Sequence, residues 1–107
     1  MSEETLIHLD DDSFKNSVSD GVTLIDFSAE WCGPCRMLHP VIVSVAEKMK
    51  GKAKVAKVDI DASQKTAQEF NITSVPTLIL FKNGSEVNRS VGLKDEESLE
   101  EFITSAL

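Results

Sequence analysis

Apolar positions along the chain switch between two periods, and the switches mark a series of short elements. Leu6 to Leu9 is a strand candidate, and the polar cluster Asp10 to Ser13 supplies caps for a short helix carrying Phe14 and Val18 on one face. After the turn Ser19-Asp20-Gly21, Val22 to Ser28 is strongly apolar, interrupted within by Thr23 and Asp26, as in a central strand covered on both faces. The clearest helix follows Pro34, where Met37, Val41, Val45 and Met49 recur every four residues beside Leu38, Ile42 and Ala46. Pro40 predicts a kink in it, and Gly51 ends it.

Ala53 to Ile60 reads as a further strand in which Val55, Lys57 and Asp59 alternate with Ala56 and Val58. Ser63 to Phe70 makes a short polar helix, Thr77 to Phe81 a strand, Lys82-Asn83-Gly84-Ser85 a hairpin turn and Glu86 to Val91 its return strand. Asp95 caps a last helix whose Leu99, Phe102, Ile103 and Ala106 form one stripe opposite Glu96, Glu97, Glu100 and Glu101. The sum is an α/β chain: a central mixed five-stranded sheet, mainly parallel with one antiparallel hairpin, flanked by four helices on its two faces.

A length of 107 residues suits a single domain spanning 1–107, with no linker, repeat or low-complexity tract to divide it. Eighteen acidic against 11 basic residues leave a formal net charge of −7, which repels phosphate backbones and anionic lipid headgroups and argues against nucleic acid as a partner. No apolar run approaches the roughly 20 residues that cross a bilayer. The amino-terminal stretch Met1-Ser2-Glu3-Glu4-Thr5 lacks the basic start and apolar core of a secretory signal, so a cytoplasmic protein is expected.

Only two cysteines occur, Cys32 and Cys35, and a disulfide across so short a loop constrains little chain entropy. In a reducing compartment such a pair is catalytic or metal-binding rather than a staple. It follows a buried strand and opens a helix, so unpaired backbone N–H groups point toward Cys32 and favour its thiolate, the species that attacks a disulfide sulfur. Cys35, three residues on, faces back at Cys32 within disulfide reach and is placed to resolve a mixed disulfide. Pro34 fits the first helical turn, where a missing N–H costs nothing, and Gly33 leaves room for another chain. A zinc site would need two further donors, and His8 and His39 are too isolated in sequence to resemble a finger. No metal or cofactor is expected.

Trp31-Cys32-Gly33-Pro34-Cys35 after an Asp-bearing strand, then Val75-Pro76-Thr77, Phe81-Lys82-Asn83-Gly84 and Val91-Gly92, closely resemble the thioredoxin family over nearly the whole chain. The resemblance implies the thioredoxin fold and a thiol-disulfide oxidoreductase that carries electrons from a flavoprotein, thioredoxin reductase, to disulfides in target proteins. The dipeptide Gly33-Pro34 is the one typical of the reducing members.

Asp26 interrupts an apolar strand, where burial raises a carboxyl's pKa. By resemblance it accepts the proton of Cys35; otherwise it is a hydrogen-bonded carboxyl that shapes the fold. Lys57 matches a family lysine that approaches this Asp, but alternation alone does not say which face it takes. Trp31 suits either a core or a flat platform for a partner protein. The resemblance makes Pro76 a cis proline facing the sulfurs, and frees the Val75 backbone to pair with an extended substrate strand in a groove lined by Ser74, Gly92 and Leu93. Gly84 reads as a hairpin glycine.

Ser28 and His39 depart from the family pattern, which commonly has a second aromatic and a small residue there. His39, four residues past Cys35 on the same helix, is read as a partly exposed packing residue outside the core site. A monomer is expected, since no large apolar stripe remains once the core is assigned. A redox-independent binding or processivity subunit is the alternative function, distinguished by whether a double Cys→Ser variant still supports its partner.

Overall fold

The computed structural model describes residues 3–107; Met1 and Ser2 of the amino-terminal stretch lie outside the described residues. The elements run β1 (Ile7–Leu9), α1 (Phe14–Val18), β2 (Val22–Ser28), α2 (Gly33–Lys48), β3 (Lys54–Asp59), α3 (Gln64–Glu69), β4 (Thr77–Lys82), β5 (Ser85–Val91) and α4 (Glu96–Thr104). They form one five-stranded sheet of order β1-β3-β2-β4-β5.

The sheet is less parallel than the sequence pattern suggests. β3 runs parallel to both β1 and β2, but β4 lies antiparallel to β2 as well as to β5. The short α3 explains the difference. Six residues of helix rise about 9 Å, less than the roughly 20 Å of the neighbouring strands. The chain therefore re-enters the sheet at the edge it left: Asp59, ending β3, aligns with Ser28, and Thr77, opening β4, aligns with Phe27.

Strand pleating sorts the central side chains into two cores. Leu24, Val55, Leu78 and Leu80 pack with Leu38, Ile42, Val45 and Ala46 of α2 and with Leu99 and Ile103 of α4. On the other face, Ile25, Phe27, Ala56, Val58, Ile79 and Phe81 pack with Phe14 and Val18 of α1. There Phe14, Phe27, Phe70 and Phe81 form an aromatic cluster with ring centroids 5.2 to 6.3 Å apart. Because β2 alternates, Asp26 shares the α2 face with Leu24; because β3 alternates, Lys57 shares it with Val55.

Local chemistry explains the ends. The Asp10 carboxylate accepts hydrogen bonds from the N–H groups of Asp12 and Ser13 at the start of α1. That of Asp95 accepts one from the Ser98 N–H at 2.8 Å and starts α4. Asn83 and Gly84 both have positive φ, 50° and 89°, as a two-residue hairpin between β4 and β5 requires. α2 continues through Pro40. Its first apolar residue, Met37, is exposed rather than part of the core stripe.

Candidate functional site

β2, the central strand, ends at Ser28, and after a short loop α2 begins with Cys32 as its N-cap. Cys32 and Cys35 form a disulfide with Cα atoms 5.2 Å apart. The Cys35 N–H donates to Cys32 Sγ at 3.1 Å, satisfying one of the free donors of the first helical turn. The same donor, with the 16-residue helix behind it, stabilises negative charge on Cys32 once the bond is reduced. Both cysteines are buried, Cys32 at 4% and Cys35 at 1% exposure.

Trp31 is 67% exposed and so belongs to the surface, where its Nε1–H donates to the Asp61 carboxylate at 2.8 Å. Gly33 carries no steric obligation to the fold: a Cβ there would meet only the Arg36 side chain, at 3.9 Å. Pro34 is exposed on the first turn. The Val75–Pro76 peptide is cis, and the Val75 carbonyl oxygen lies 3.6 Å from Cys32 Sγ. Ser74 is exposed just before it, with its carbonyl accepting from the Thr77 hydroxyl at 2.6 Å. Gly92 is tied to this loop by its N–H, which donates to the Pro76 carbonyl at 2.9 Å, and Leu93 follows it, exposed. Trp31, Gly33, Pro34 and the segments 74–76 and 92–93 are thus linked to one end of the sheet through the disulfide, Val75 and Pro76.

On the sheet face covered by α2, Asp26 is fully buried, and neither carboxylate oxygen accepts a hydrogen bond from any described residue. Burial pushes its pKa up to about 6, against a smaller opposing pull from the Lys57 ammonium. No described residue supplies the hydrogen bonds that the alternative, a structural carboxyl, would make. Lys57 is in register with Asp26 on the neighbouring strand, which settles the face that alternation left open.

His39 is the residue that sequence reasoning undervalued. It is not a packing side chain set apart from the site: its Nδ1 lies 2.9 Å from Lys57 Nζ and its Nε2 2.9 Å from Glu3 Oε1. His8, Ser28, Cys35, His39 and Lys57 line one cleft of about 570 Å³. The signal was present in the spacing, since His39 lies one turn beyond Cys35, but only the strand register brings Lys57 to it. Among the described residues, no group of three or more His, Cys, Asp or Glu side chains is arranged to hold a metal ion.

A cysteine pair within disulfide reach at a helix amino end is the apparatus of a thiol-disulfide oxidoreductase. Comparison with known proteins agrees. The thioredoxin family model matches residues 5–105. The thioredoxin of Chlamydia muridarum is 52% identical over 93 residues, covering 87% of this chain and 90% of that protein. The thioredoxin of Bacillus subtilis is 41% identical over 102 residues, covering 95% and 98%. Among solved structures, a point-mutant thioredoxin from Halobacterium salinarum NRC-1 superposes with a TM-score of 0.89 at 39% identity, covering 99% of this chain and 94% of that one. The chain belongs to the thioredoxin family, and its activity is that of a thiol-disulfide reductase with a redox-active cysteine pair.

Proposed function

We propose that the chain is a cytoplasmic, monomeric protein-disulfide reductase, one domain over residues 1–107, in which Cys32 is the nucleophile and Cys35 the resolving thiol. The Cys32 thiolate attacks one sulfur of a target disulfide, and the target's second sulfur leaves as a thiolate. Cys35 then gives its proton to Asp26, and its thiolate attacks Cys32 Sγ. The mixed disulfide breaks, the target leaves reduced, and the Cys32–Cys35 disulfide remains. Two electrons from a flavoprotein thioredoxin reductase restore the dithiol. The Lys57 ammonium, pulling against the effect of burial, favours the ionised Asp26 that can take this proton.

The observation that supports this order is the N-cap position of Cys32: its sulfur takes the Cys35 N–H and lies beside the Val75 carbonyl. An extended target strand would pair with the Val75 backbone, resting on Trp31, Gly33 and Pro34 on one side and on Ser74, Pro76, Gly92 and Leu93 on the other. No helix among the described residues is long and apolar enough to cross a membrane.

Thiol trapping tests it. Cys35→Ser, mixed with a disulfide-containing protein, accumulates a mixed disulfide through Cys32, whereas Cys32→Ser accumulates none. Equal trapping by both variants would reverse or abolish the assignment.

A further inference from the structure

A polar row crosses three strands on the face covered by α2: His8 of β1 is in register with Lys57 of β3, and Lys57 with Asp26 of β2. On the far side of Asp26 the row continues into apolar Leu78 of β4. Lys57 therefore stands between two groups that can take its ammonium, Asp26 on its own row and His39 descending from α2. It takes His39, at 2.9 Å, while both Asp26 oxygens stay without a hydrogen bond from the described residues.

An ammonium has only hydrogens to offer, so Nδ1 of His39 must present its lone pair. The ring proton then lies on Nε2 and donates to Glu3 Oε1 at 2.9 Å. The two contacts together define a neutral imidazole of one tautomer. A second proton would sit on Nδ1, facing an ammonium, and that contact cannot survive it.

We propose that His39 is a positioning residue: neutral, it holds the Lys57 ammonium away from Asp26, and protonated, it releases that ammonium to the Asp26 carboxylate. Lys57 and Asp26 are register partners on adjacent strands, so their side chains leave the same face of the sheet side by side. With the ring neutral, Asp26 has no cation bonded to it and readily takes the Cys35 proton. With the ring protonated, Asp26 is ion-paired and accepts that proton less readily.

The other charged groups around His39 are accounted for. Arg36 of α2 donates to the Glu30 carbonyl at 2.8 Å, and Asp59 of β3 accepts from the backbone N–H groups of Asp61 and Ala62. Glu30 and His8 line the remaining walls of the cleft. His8 is unchanged in every variant compared below, so its contribution is common to all of them.

The inference rests on Asp26 serving Cys35, but its test does not. The Asp26 carboxyl is followed by ¹³C NMR through a pH titration of the oxidised protein, where no thiol titrates. His39→Ala frees Lys57 to pair with Asp26, and the proton affinity of Asp26 falls about tenfold, the lower end of what a direct ion pair does. His39→Asn presents an amide oxygen near the place of Nδ1 and keeps the wild-type midpoint. In a Lys57→Gln background, His39→Ala changes nothing further. An unchanged or raised midpoint in His39→Ala, or a shift that persists without Lys57, overturns the proposal. Target-disulfide reduction by the same variants reports separately on the role of Asp26. If the carboxyl moves and that rate does not, the proton-acceptor reading fails while the placement of Lys57 stands.

Discussion

Replacing Asp26 by Asn should stabilise the folded protein, and by an amount that depends on pH in a defined way. The carboxyl has an ordinary value of 3.8 and is pushed up to about 6 in the fold, first by burial and against the opposing pull of Lys57. Below 3.8 the group is protonated in both states and contributes nothing to the pH dependence. Between 3.8 and 6 the unfolded chain ionises while the folded one keeps its proton, so stability falls as pH rises. Above about 6 the loss is complete. At about 1.36 kcal/mol per pH unit it amounts to roughly 3 kcal/mol, a large share of the roughly 5–15 kcal/mol typical of a whole domain.

Asn fills almost the same volume and carries no titratable proton, so its own burial adds an offset that does not vary with pH. The assay is urea unfolding of the oxidised wild type and Asp26→Asn at intervals from about pH 3.5 to 7.5, reading the difference between them so that all shared groups cancel. The difference should grow by about 3 kcal/mol in favour of Asn, nearly all of it between about pH 4 and 6.5. A difference that is flat with pH, or that shrinks, would mean that burial does not raise the proton affinity of Asp26 and would remove the physical basis for proposing it as proton acceptor.

Two further substitutions test the packing. Ile42→Ala, at a fully buried position of α2 facing the central strands, should cost about 2–5 kcal/mol by chemical denaturation; a loss under about 1 kcal/mol would mean that α2 is not packed on the sheet as described. Asp95→Ala removes the side chain that caps α4 and should cost about 1 kcal/mol, with amide exchange increasing in the first turn of that helix; unchanged exchange there would show that the cap is not formed in solution.

What the sequence made legible is whatever depends on local pattern. The strand and helix positions, the caps at Asp10 and Asp95, the Asn83-Gly84 hairpin and the placement of Cys32 at a helix start all follow from residues within a few positions of one another. What it left open depends on pairing. The direction of β4 is set by how far α3 can carry the chain, and the face of Lys57 by the register of β3 on β2. The carboxylate of Asp11 accepts from both the N–H and the hydroxyl of Thr66 in α3, a cap supplied across 55 positions that no local window contains.

The two halves of the candidate site accordingly rest on different physics. Activation of Cys32 is a property of the backbone at a helix amino end, so it follows from the motif alone. The proposed handling of the Cys35 proton depends instead on the α2 face of the sheet, which carries a buried carboxyl, a lysine in register with it and a histidine bonded to that lysine. Ser28 and His39, the two departures from the family pattern, line the same cleft beside Cys35 and Lys57. Ser28 is buried at the end of β2, and the histidine places an ionisable ring on the wall of the cleft. The thiol-trapping experiment therefore reads the first half, which is local in sequence, and the Asp26 titration the second, which is not.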